Sequence, residues 1–351
     1  MSLAAAGEVT VAPNVARLAS WLAEAGIAEG EIRDVRLLAG GTQNLILRLS
    51  MGGRDLVVRR PPIGRALGEK TIGREAIVLG ALAGSAVPHP RFGGLCEDRA
   101  VLGAPFLVTD EVKGFNATVE MSGSAGRDPA FRHTMGLALV DGLAALASVG
   151  IESGALSALG RADGFLERQV DRWAKQLASY ELLASWPGAE QLGPVAAIGL
   201  WLKANLPDDF QPGLMHGDYH IGNVLYCPED GGLAAILDWE MAALGDPLLD
   251  LARLVTAWPN ARNEGLLSLK VEPWDGFPSA DELVDRYATL TGRSMDALPW
   301  FEILACYKYG IILEGSYARA CAGKADAETG RKLHKSATGL IARAAATIDR
   351  A

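Results

Sequence analysis

"LMHGDYHIGNVLYCPEDGGLAAILDWEMAALGDP", from Leu214 to Pro247, sets polar side chains around two short apolar runs. The runs Val224–Cys227 and Leu233–Leu237 are separated by the turn sequence "PEDGG", which predicts a β-hairpin. Two kinds of site fit such a stretch, a metal site and a phosphoryl-transfer site. The side chains that could serve either of them are His216, Asp218, His220, Asn223, Asp238 and Asp246.

The spacing of these residues favours phosphoryl transfer. Asp218 is followed by four residues and then Asn223, and fifteen residues after Asn223 an apolar run ends in Asp238. Protein kinases place a catalytic-loop Asp, a metal-binding Asn and a second metal-binding Asp in this order. Asn223 and Asp238 offer oxygen ligands for Mg²⁺, which neutralises phosphate charge. Asp218 offers a carboxylate to orient and deprotonate an acceptor hydroxyl.

The chain before this stretch begins with a small sheet-rich region. Apolar residues at helical spacing predict a helix over residues 14–27. Residues 32–60 alternate apolar runs with glycine turns, which predicts three strands in an antiparallel meander. A second helix is predicted over residues 69–83, and "PFLVTDEV" predicts a closing strand. Residues 1–112 therefore form a predicted first domain of sheet plus helix.

From about residue 125 the pattern is mainly helical, apart from the hairpin. The sequence predicts an α+β fold with a small antiparallel-sheet domain, residues 1–112, and a large helical domain, residues 113–351. The helices are predicted over residues 131–149, 164–181, 193–206, 247–258, 279–292, 300–323 and about 327–350.

The composition is that of an ordinary globular protein. Of 351 residues, 49% are hydrophobic and 21% charged, and the net charge is −9. An acidic balance disfavours nucleic-acid or anionic-membrane partners. The four cysteines are scattered and the start lacks a signal sequence, so we expect reduced thiols in a cytoplasmic protein. No apolar run is long enough to predict a membrane span.

Several motifs resemble one known group of enzymes. "HGDYHIGN", "ILDWE" and "GDPLLDLA" are similar to the catalytic motifs of the aminoglycoside phosphotransferase and choline kinase-like superfamily, which has the protein-kinase fold. "LAGGTQNLILRL" resembles its nucleotide-covering hairpin, "GREAIVLGAL" its first-lobe helix and "GAPFLVTDEVKG" its hinge. "VVRRPP", "VPHPR" and "GFLERQVDRW" resemble the phosphotransferase-like domains associated with acyl-CoA dehydrogenases.

The resemblance implies a two-lobed protein-kinase-like fold and an ATP- or GTP-dependent kinase of small molecules. Asp218 would be the catalytic base, and Asn223 and Asp238 the Mg²⁺ ligands. The γ-phosphate would pass to a hydroxyl of a small-molecule acceptor, which the acyl-CoA dehydrogenase subgroup suggests is a hydroxyacyl thioester or a related metabolite. Asp250 and Arg253 would brace the helix that begins at Pro247 against the loop that carries Asp218.

The nucleotide-binding residues implied by the resemblance lie in the first domain. Arg59 stands where the family has a phosphate-binding lysine, with Arg60 beside it; strand alternation directs only one of the two inward, and we expect Arg59. Glu75 would pair with this arginine. Main-chain groups of Gly40, Gly41 and Thr42 would meet the phosphates, and those of Asp110 and Val112 the adenine.

Other interpretations stay open at this point. His216 and His220 would suit zinc, and hence a zinc hydrolase, if they lay on one helix, but the glycines nearby argue against a helix. We expect Asp246 to have a structural role at the start of a helix, and His220 to be either exposed or near substrate. Because arginine replaces the lysine, a nucleotide-binding pseudokinase with a sensing or scaffolding role is the main alternative to the enzyme.

Overall fold

A computed structural model describes the chain at residues 12–38, 44–64, 66–152, 154–259 and 270–350. The chain divides into two compact units. The first consists of the described residues up to Gly84, His89–Val112 and the short segment Asp238–Glu240. The second consists of Ser85–Pro88, Lys113–Leu237 and the described residues from Met241 onward.

A five-stranded antiparallel sheet forms the first unit, with strand order β1-β2-β3-β5-β4. The predicted meander over residues 32–60 is confirmed as β1 to β3, and the turn between β2 and β3 has positive φ at Gly52 and Gly53. The elements of this unit are α1 (Ala12–Glu24), β1 (Arg33–Leu37), β2 (Leu45–Met51), β3 (Arg54–Arg60), α2 (Ala66–Ala81), β4 (Phe92–Cys96), α3 (Arg99–Leu102) and β5 (Phe106–Asp110).

The core of the first unit follows from strand alternation. In β3, Leu56, Val58 and Arg60 are buried on one face, so Arg59 points to the other. Alternate residues of β2 are buried in the same way, and α1 contributes Leu18 and Leu22 to the same cluster. Alternation therefore decides which of the two adjacent arginines is available to a site outside this core.

Helices dominate the second unit, and each predicted helix is present within a few residues of its predicted bounds. The α-helices of this unit, of which α4 was not predicted, are α4 (Gly123–Arg127), α5 (Pro129–Ala147), α6 (Phe165–Ala178), α7 (Val195–Ala204), α8 (Leu248–Ala257), α9 (Ala280–Thr291), α10 (Leu298–Cys321) and α11 (Ala327–Ile348). Every residue of α8 is buried. Together with the sheet of the first unit, these helices confirm the α+β class. Among the described residues, no helix is both long and apolar enough to cross a membrane.

Two short strand pairs frame the polar stretch. The predicted hairpin is confirmed as β7 (Val224–Tyr226) and β8 (Leu233–Ile236), paired antiparallel. A second pair, β6 (Gly213–Met215) and β9 (Ala243–Gly245), was not predicted, because three residues carry too little pattern to indicate a strand. The two pairs hold the loop between Met215 and Val224 at both of its ends.

Candidate active site

The loop between β6 and β7 is held in one conformation by its own side chains. His216 Nδ1 accepts the main-chain N–H of Asp218 at 3.2 Å, so the other ring nitrogen, Nε2, carries the proton and donates to the Leu237 carbonyl at 2.7 Å. Gly217 has φ of +86°, and a Cβ there would lie 2.2 Å from the Met241 carbonyl oxygen. The turn therefore requires glycine immediately before Asp218.

Helix α8 and helix α10 hold the main chain of this loop. Asp250 accepts the N–H groups of His216 and Gly217 at 2.6 and 2.8 Å. The Gly217 carbonyl accepts hydrogen bonds from Lys308 Nζ, at 2.6 Å, and from the Tyr309 hydroxyl. Burial raises the pKa of Asp250 and lowers that of Lys308 to about 8. The Asp250 carboxylate thus binds two main-chain N–H groups of this turn, and the Lys308 amine binds a main-chain carbonyl beside them.

Asp218 presents a partly exposed carboxylate at the end of this turn. Its Oδ1 accepts from Arg253 Nε at 2.9 Å, and its Oδ2 lies 3.5 Å from His220 Nε2. Burial raises the pKa of Asp218, but the Arg253 guanidinium and the contact with His220 outweigh burial and hold that pKa well below its usual range. The side chain is therefore a carboxylate across the physiological pH range.

Asn223 is fixed by hydrogen bonds on both sides of its peptide. Its Nδ2 donates to the Asp218 carbonyl at 3.0 Å, and its own carbonyl accepts the Leu237 N–H at 2.8 Å. Asn116 Nδ2 donates to the carbonyls of Gly222 and Val224, at 2.7 and 3.1 Å. Because the amide nitrogen of Asn223 is the donor, its Oδ1 is left as an oxygen ligand for a cation.

In the first unit, Arg59 is the centre of a carboxylate cluster. Its guanidinium contacts Glu75 Oε1 and Asp238 Oδ1, each at 2.9 Å, and Glu240 Oε2 at 3.5 Å. Burial opposes the charge of Arg59, but the carboxylates of Glu75 and Asp238 outweigh it and raise the arginine's pKa. Burial raises the pKa of Glu75 to about 7 despite its arginine partner. Arg60, on the opposite face, donates to the Leu102 carbonyl at 3.2 Å.

The candidate metal ligands fit Mg²⁺ in their chemistry. Asn223 offers an amide oxygen and Asp238 a carboxylate, which are the hard oxygen donors that this ion takes in proteins. The Asp238 side chain is 39% exposed, so an oxygen is accessible although Arg59 holds Oδ1. Asp238 also has φ of +65°, a costly left-handed conformation for a residue other than glycine, and such conformations concentrate at functional sites.

The remaining residues that we expected to bind nucleotide lie, in sequence, before β2 and at or just after the end of β5. Gly40, Gly41 and Thr42 lie outside the described residues. The N–H of Asp110 donates to the Arg91 carbonyl at 3.0 Å, and its carboxylate pairs with Arg54. Val112 is the last residue of the 89–112 segment of the first unit. Roles for Asp110 and Val112 toward adenine stay predictions.

The zinc interpretation finds little support in the geometry. His216 and His220 lie in a loop rather than on one helix. In both histidine rings Nδ1 already accepts a main-chain N–H. The donor is Asp218 for His216 and Gly222, at 3.0 Å, for His220. Where the structure describes the chain, it places no group of three or more His, Cys, Asp or Glu side chains to hold a metal ion. His220 is buried, which excludes the first of its two expected positions, exposed or near substrate, and its Nε2 lies 3.5 Å from Asp218 Oδ2.

Asp246 has the structural role that we expected. Its side chain is fully buried, Oδ1 accepts the Leu248 N–H at 2.9 Å at the start of α8, and Oδ2 pairs with Arg293 at 2.7 Å. The loop between β6 and β7 is also held by Asn116, Lys308 and Tyr309, which the sequence did not indicate and which come from distant positions in the chain. No local pattern marks these three residues, because their role depends on which main-chain groups they contact.

Comparison with known proteins places this chain among phosphotransferases. The signature of the Phosphotransferase enzyme family matches residues 34–283. The chain is 33% identical over 300 residues to acyl-CoA dehydrogenase family member 11 of Homo sapiens, covering 82% of this chain and 36% of that protein. It is 28% identical over 306 residues to acyl-CoA dehydrogenase family member 10 of Mus musculus, covering 84% of this chain and 27% of that protein. The chain thus spans about a third of these relatives' length.

Solved structures share the protein-kinase-like fold. A protein of Ralstonia eutropha JMP134 described as an aminoglycoside phosphotransferase superposes with a TM-score of 0.80 at 24% identity, covering 95% of this chain and 97% of that one. A thermostable mutant of aminoglycoside phosphotransferase APH(4)-Ia, bound to AMP-PNP and hygromycin B, superposes with a TM-score of 0.53 at 15% identity, covering 94% and 99%. At these identities the likeness concerns the fold alone, and it confirms the fold predicted from the motifs.

Proposed function

Because the chain belongs to the Phosphotransferase enzyme family, we propose that it transfers the γ-phosphate of ATP or GTP to a hydroxyl group of a small molecule, with Mg²⁺. The observation that carries this proposal is the state of Asp218. Its carboxylate is ionised, partly exposed and held by a loop whose main chain is fixed at His216 and Gly217 by Asp250. Phosphoryl transfer needs positioning and electrostatics more than covalent chemistry, and such a rigid carboxylate provides positioning.

In the proposed reaction, Asp218 orients the acceptor hydroxyl. A bond forms between the acceptor oxygen and the γ-phosphorus while the bond from that phosphorus to the β–γ bridging oxygen breaks. The hydroxyl proton leaves through the Asp218 carboxylate to solvent, and the products are a nucleoside diphosphate and a phosphate monoester. Because Arg253 keeps the pKa of Asp218 low, Asp218 contributes as an orienting group and takes the proton only late in the transfer.

The charged groups of the first unit suit the nucleotide. Arg59 replaces a lysine point charge with a planar guanidinium, which can bind phosphate oxygens in pairs. Strand alternation places it on the face of β3 opposite Leu56 and Val58, and its contact with Glu75 orients the guanidinium there. We assign Arg59 to the nucleotide phosphates and Glu75 to the support of Arg59.

Asn223 and Asp238 are the proposed ligands of the metal. When bound, Mg²⁺ would neutralise charge on the phosphates. In this chain, the Asp218 carbonyl accepts from the Asn223 side-chain amide, and Asn116 holds the main chain on either side of Asn223. Arg59 keeps one oxygen of Asp238 oriented. Oδ1 of Asn223 and Oδ2 of Asp238 stay outside these two contacts and are the oxygens proposed to bind the metal.

For the acceptor, we propose a hydroxyacyl thioester or a related hydroxylated metabolite. Support comes from the relatives named acyl-CoA dehydrogenases, which match this chain over only about a third of their length. A kinase segment within such a protein would act on a chemically related acyl compound. This argument is one of association and concerns the acceptor alone.

A nucleotide-binding pseudokinase is the second candidate, and one observation favours it. Arg59 stands in place of lysine and contacts Asp238 and Glu240 as well as Glu75. If those ion pairs persist with nucleotide bound, Asp238 would serve Arg59 rather than a metal. Such a protein would bind nucleotide without turnover.

Transfer of radiolabelled γ-phosphate from Mg·ATP and Mg·GTP into a fractionated metabolite extract, alongside synthetic hydroxyacyl thioesters, tests the proposal. The control is Asp218→Asn, which preserves size and removes the carboxylate. A labelled small molecule made by the wild type and reduced at least about 100-fold in the variant supports the enzyme. Nucleotide binding without any labelled product would instead support the pseudokinase.

A further inference from the structure

Both carboxylate oxygens of Asp218 have a neighbouring nitrogen within the second unit. Arg253 Nε donates to Oδ1 at 2.9 Å, and His220 Nε2 lies 3.5 Å from Oδ2. The Arg253 side chain is 8% exposed and that of Asp218 29% exposed. The ion pair therefore joins the buried Arg253 to Asp218, the carboxylate that we propose contacts the acceptor hydroxyl.

Arg253 reaches Asp218 because of its place on α8. Asp250 and Arg253 are three residues apart on this helix and so lie on one face. Asp250 binds the main chain of the loop at His216 and Gly217, while Arg253 binds the side chain of the next residue. The Arg253 guanidinium also lies over the Tyr309 ring, 4.2 Å from its centre, which limits its movement. A single helix thus orients both the peptide and the carboxylate.

His220 lies beside the other carboxylate oxygen of Asp218, Oδ2. Its Nδ1 accepts the Gly222 N–H at 3.0 Å, so the neutral ring carries its proton on Nε2, facing Oδ2 of Asp218. At 3.5 Å this contact is looser than the one with Arg253. Oδ1 is therefore the anchored oxygen, and Oδ2 is the one that an acceptor hydroxyl can approach.

We propose that Arg253 is a positioning residue of the phosphotransfer reaction: it anchors one oxygen of Asp218 so that the other, beside His220, faces the acceptor hydroxyl. This inference rests on the proposed function. The torsion that turns a carboxylate about its Cβ–Cγ bond has broad minima, so an unanchored Asp218 would sample many orientations. Anchoring removes that freedom before the acceptor binds, which is how positioned groups lower a barrier.

A double-mutant cycle between Arg253 and Asp218 tests the inference, because a residue that acts through Asp218 has no effect once the carboxylate is gone. The proteins are the wild type, Arg253→Met, Asp218→Asn and the double variant. We expect Arg253→Met to lower kcat about 100-fold, with KM for nucleotide within about threefold of the wild type. In the Asp218→Asn background, the same substitution should change kcat less than about threefold.

Two further variants separate positioning from folding. Arg132→Met removes another buried arginine of the second unit, one that binds the Ala125 carbonyl and Asp275, and is expected to lower the melting temperature while leaving kcat of the folded fraction unchanged. Arg253→Lys keeps a positive charge and a donor, so it should recover about tenfold of the lost kcat. Nucleotide binding by calorimetry confirms for each variant that the protein is folded.

The outcomes distinguish the inference from the function on which it rests. Independent effects of the two substitutions, so that Arg253→Met lowers kcat equally in both backgrounds, would show a general structural role and overturn the inference. Unchanged kcat in Arg253→Met would also overturn it. A wild type that transfers phosphate to no acceptor would overturn both the inference and the proposed function, whereas an active wild type with an additive cycle overturns the inference alone.

Discussion

Arg59 and Arg60 are neighbours on β3, and strand alternation sends them into opposite environments. Arg59 contacts the carboxylates of Glu75 and Asp238, whereas Arg60 is buried on the core face and donates to a carbonyl of α3. Burial lowers the pKa of Arg60, while the carboxylates around Arg59 raise its pKa. Two residues of identical chemistry thus have different expected roles, and each serves as the control for the other.

Replacing Arg59 with Met should weaken nucleotide binding more than tenfold, because a charged hydrogen bond contributes about 1.5–3 kcal/mol. Arg60→Met should leave nucleotide affinity within about threefold and mainly change the melting temperature, since its partner is a main-chain carbonyl. Isothermal titration calorimetry with Mg·ATP and Mg·GTP measures both. Equal losses of affinity in the two variants would contradict the assignment of Arg59 to the phosphates.

Lys308 offers a test of pH dependence. Burial lowers its pKa from 10.5 to about 8, so between pH 8 and 10.5 the unfolded chain holds a proton that the folded chain has lost. Unfolding free energy attributable to Lys308 should therefore rise with pH over this window, by at most about 3 kcal/mol. The measurement is urea unfolding at several pH values, with Lys308→Met as reference, because other titrating groups are common to both proteins. A constant difference between the two proteins from pH 8 to 10.5 would refute the shifted pKa.

At the scale of elements, the loop between β6 and β7 is a short segment held by the strands and helices around it. Strand β6 leads into it, the β7–β8 hairpin follows it, and helices α8 and α10 bind its peptide groups. Buried polar groups of a loop need hydrogen-bond partners, and here the partners are side chains from the helices. The loop is therefore rigid although its own regular structure is limited to one 3-10 turn, Ile221–Asn223.

The turn at Gly217 should not tolerate alanine. Both the positive φ and the overlap of a Cβ with the Met241 carbonyl oppose the substitution. We expect Gly217→Ala to reduce the free energy of unfolding by about 3 kcal/mol or more. Gly292, which ends α9 with φ of +68° and has open space around its Cβ position, is the matched control; its alanine variant should lose about 1 kcal/mol. Denaturant unfolding measures both, and losses of similar size would rule out the steric conflict with Met241.

Asn116 joins the segment after β5 to the carbonyls on either side of Asn223. Asn116→Ala leaves both carbonyls without this donor, so we expect a loss of about 1–3 kcal/mol in unfolding free energy and a higher Mg²⁺ concentration for half-maximal activity. The control Asn205→Ala removes an exposed amide-to-carbonyl hydrogen bond and should cost less than about 0.5 kcal/mol. A Mg²⁺ requirement unchanged by Asn116→Ala would contradict its role in positioning Asn223.

For the whole molecule, chain order and spatial grouping differ at two places, Ser85–Pro88 and Asp238–Glu240, and the second carries candidate site residues. Asp238–Glu240 lies in sequence within the helical half, yet it groups with the first unit, where Arg59 contacts it. The candidate phosphate-binding and metal-binding side chains of that unit therefore come from distant parts of the chain. Ligands that bind only this folded arrangement should stabilise the entire protein against unfolding.

Mg·ATP or Mg·GTP at 100 times its dissociation constant should raise the unfolding free energy by about 2.7 kcal/mol. Asp238→Asn should lower the part of this increase that depends on Mg²⁺, and chelation by EDTA should abolish that part in the wild type. Thermal unfolding with and without nucleotide provides the measurement. Nucleotide stabilisation that is indifferent to both EDTA and Asp238→Asn would exclude Asp238 as a metal ligand.

The amino-acid sequence by itself determined the order and type of the main elements, because apolar periodicity and glycine turns act within a few residues. It also determined the set Asp218, Asn223 and Asp238 as candidates, since their spacing follows the chemistry of phosphoryl transfer. Alternation along β3 indicated that Arg59 and Arg60 face opposite ways, and the structure decided that Arg60 is the one on the core face. Only the tertiary structure decided that Arg59 contacts Asp238, 179 positions away.

The tertiary structure alone also decided which side chains orient the loop between β6 and β7. Lys308 binds a carbonyl 91 positions away, and Arg253 binds a carboxylate 35 positions away. Such contacts depend on how helices pack and on which buried peptide groups lack a partner. Local periodicity records which face of a helix is buried, but not which polar atom that face meets, so these residues become visible only in the folded chain.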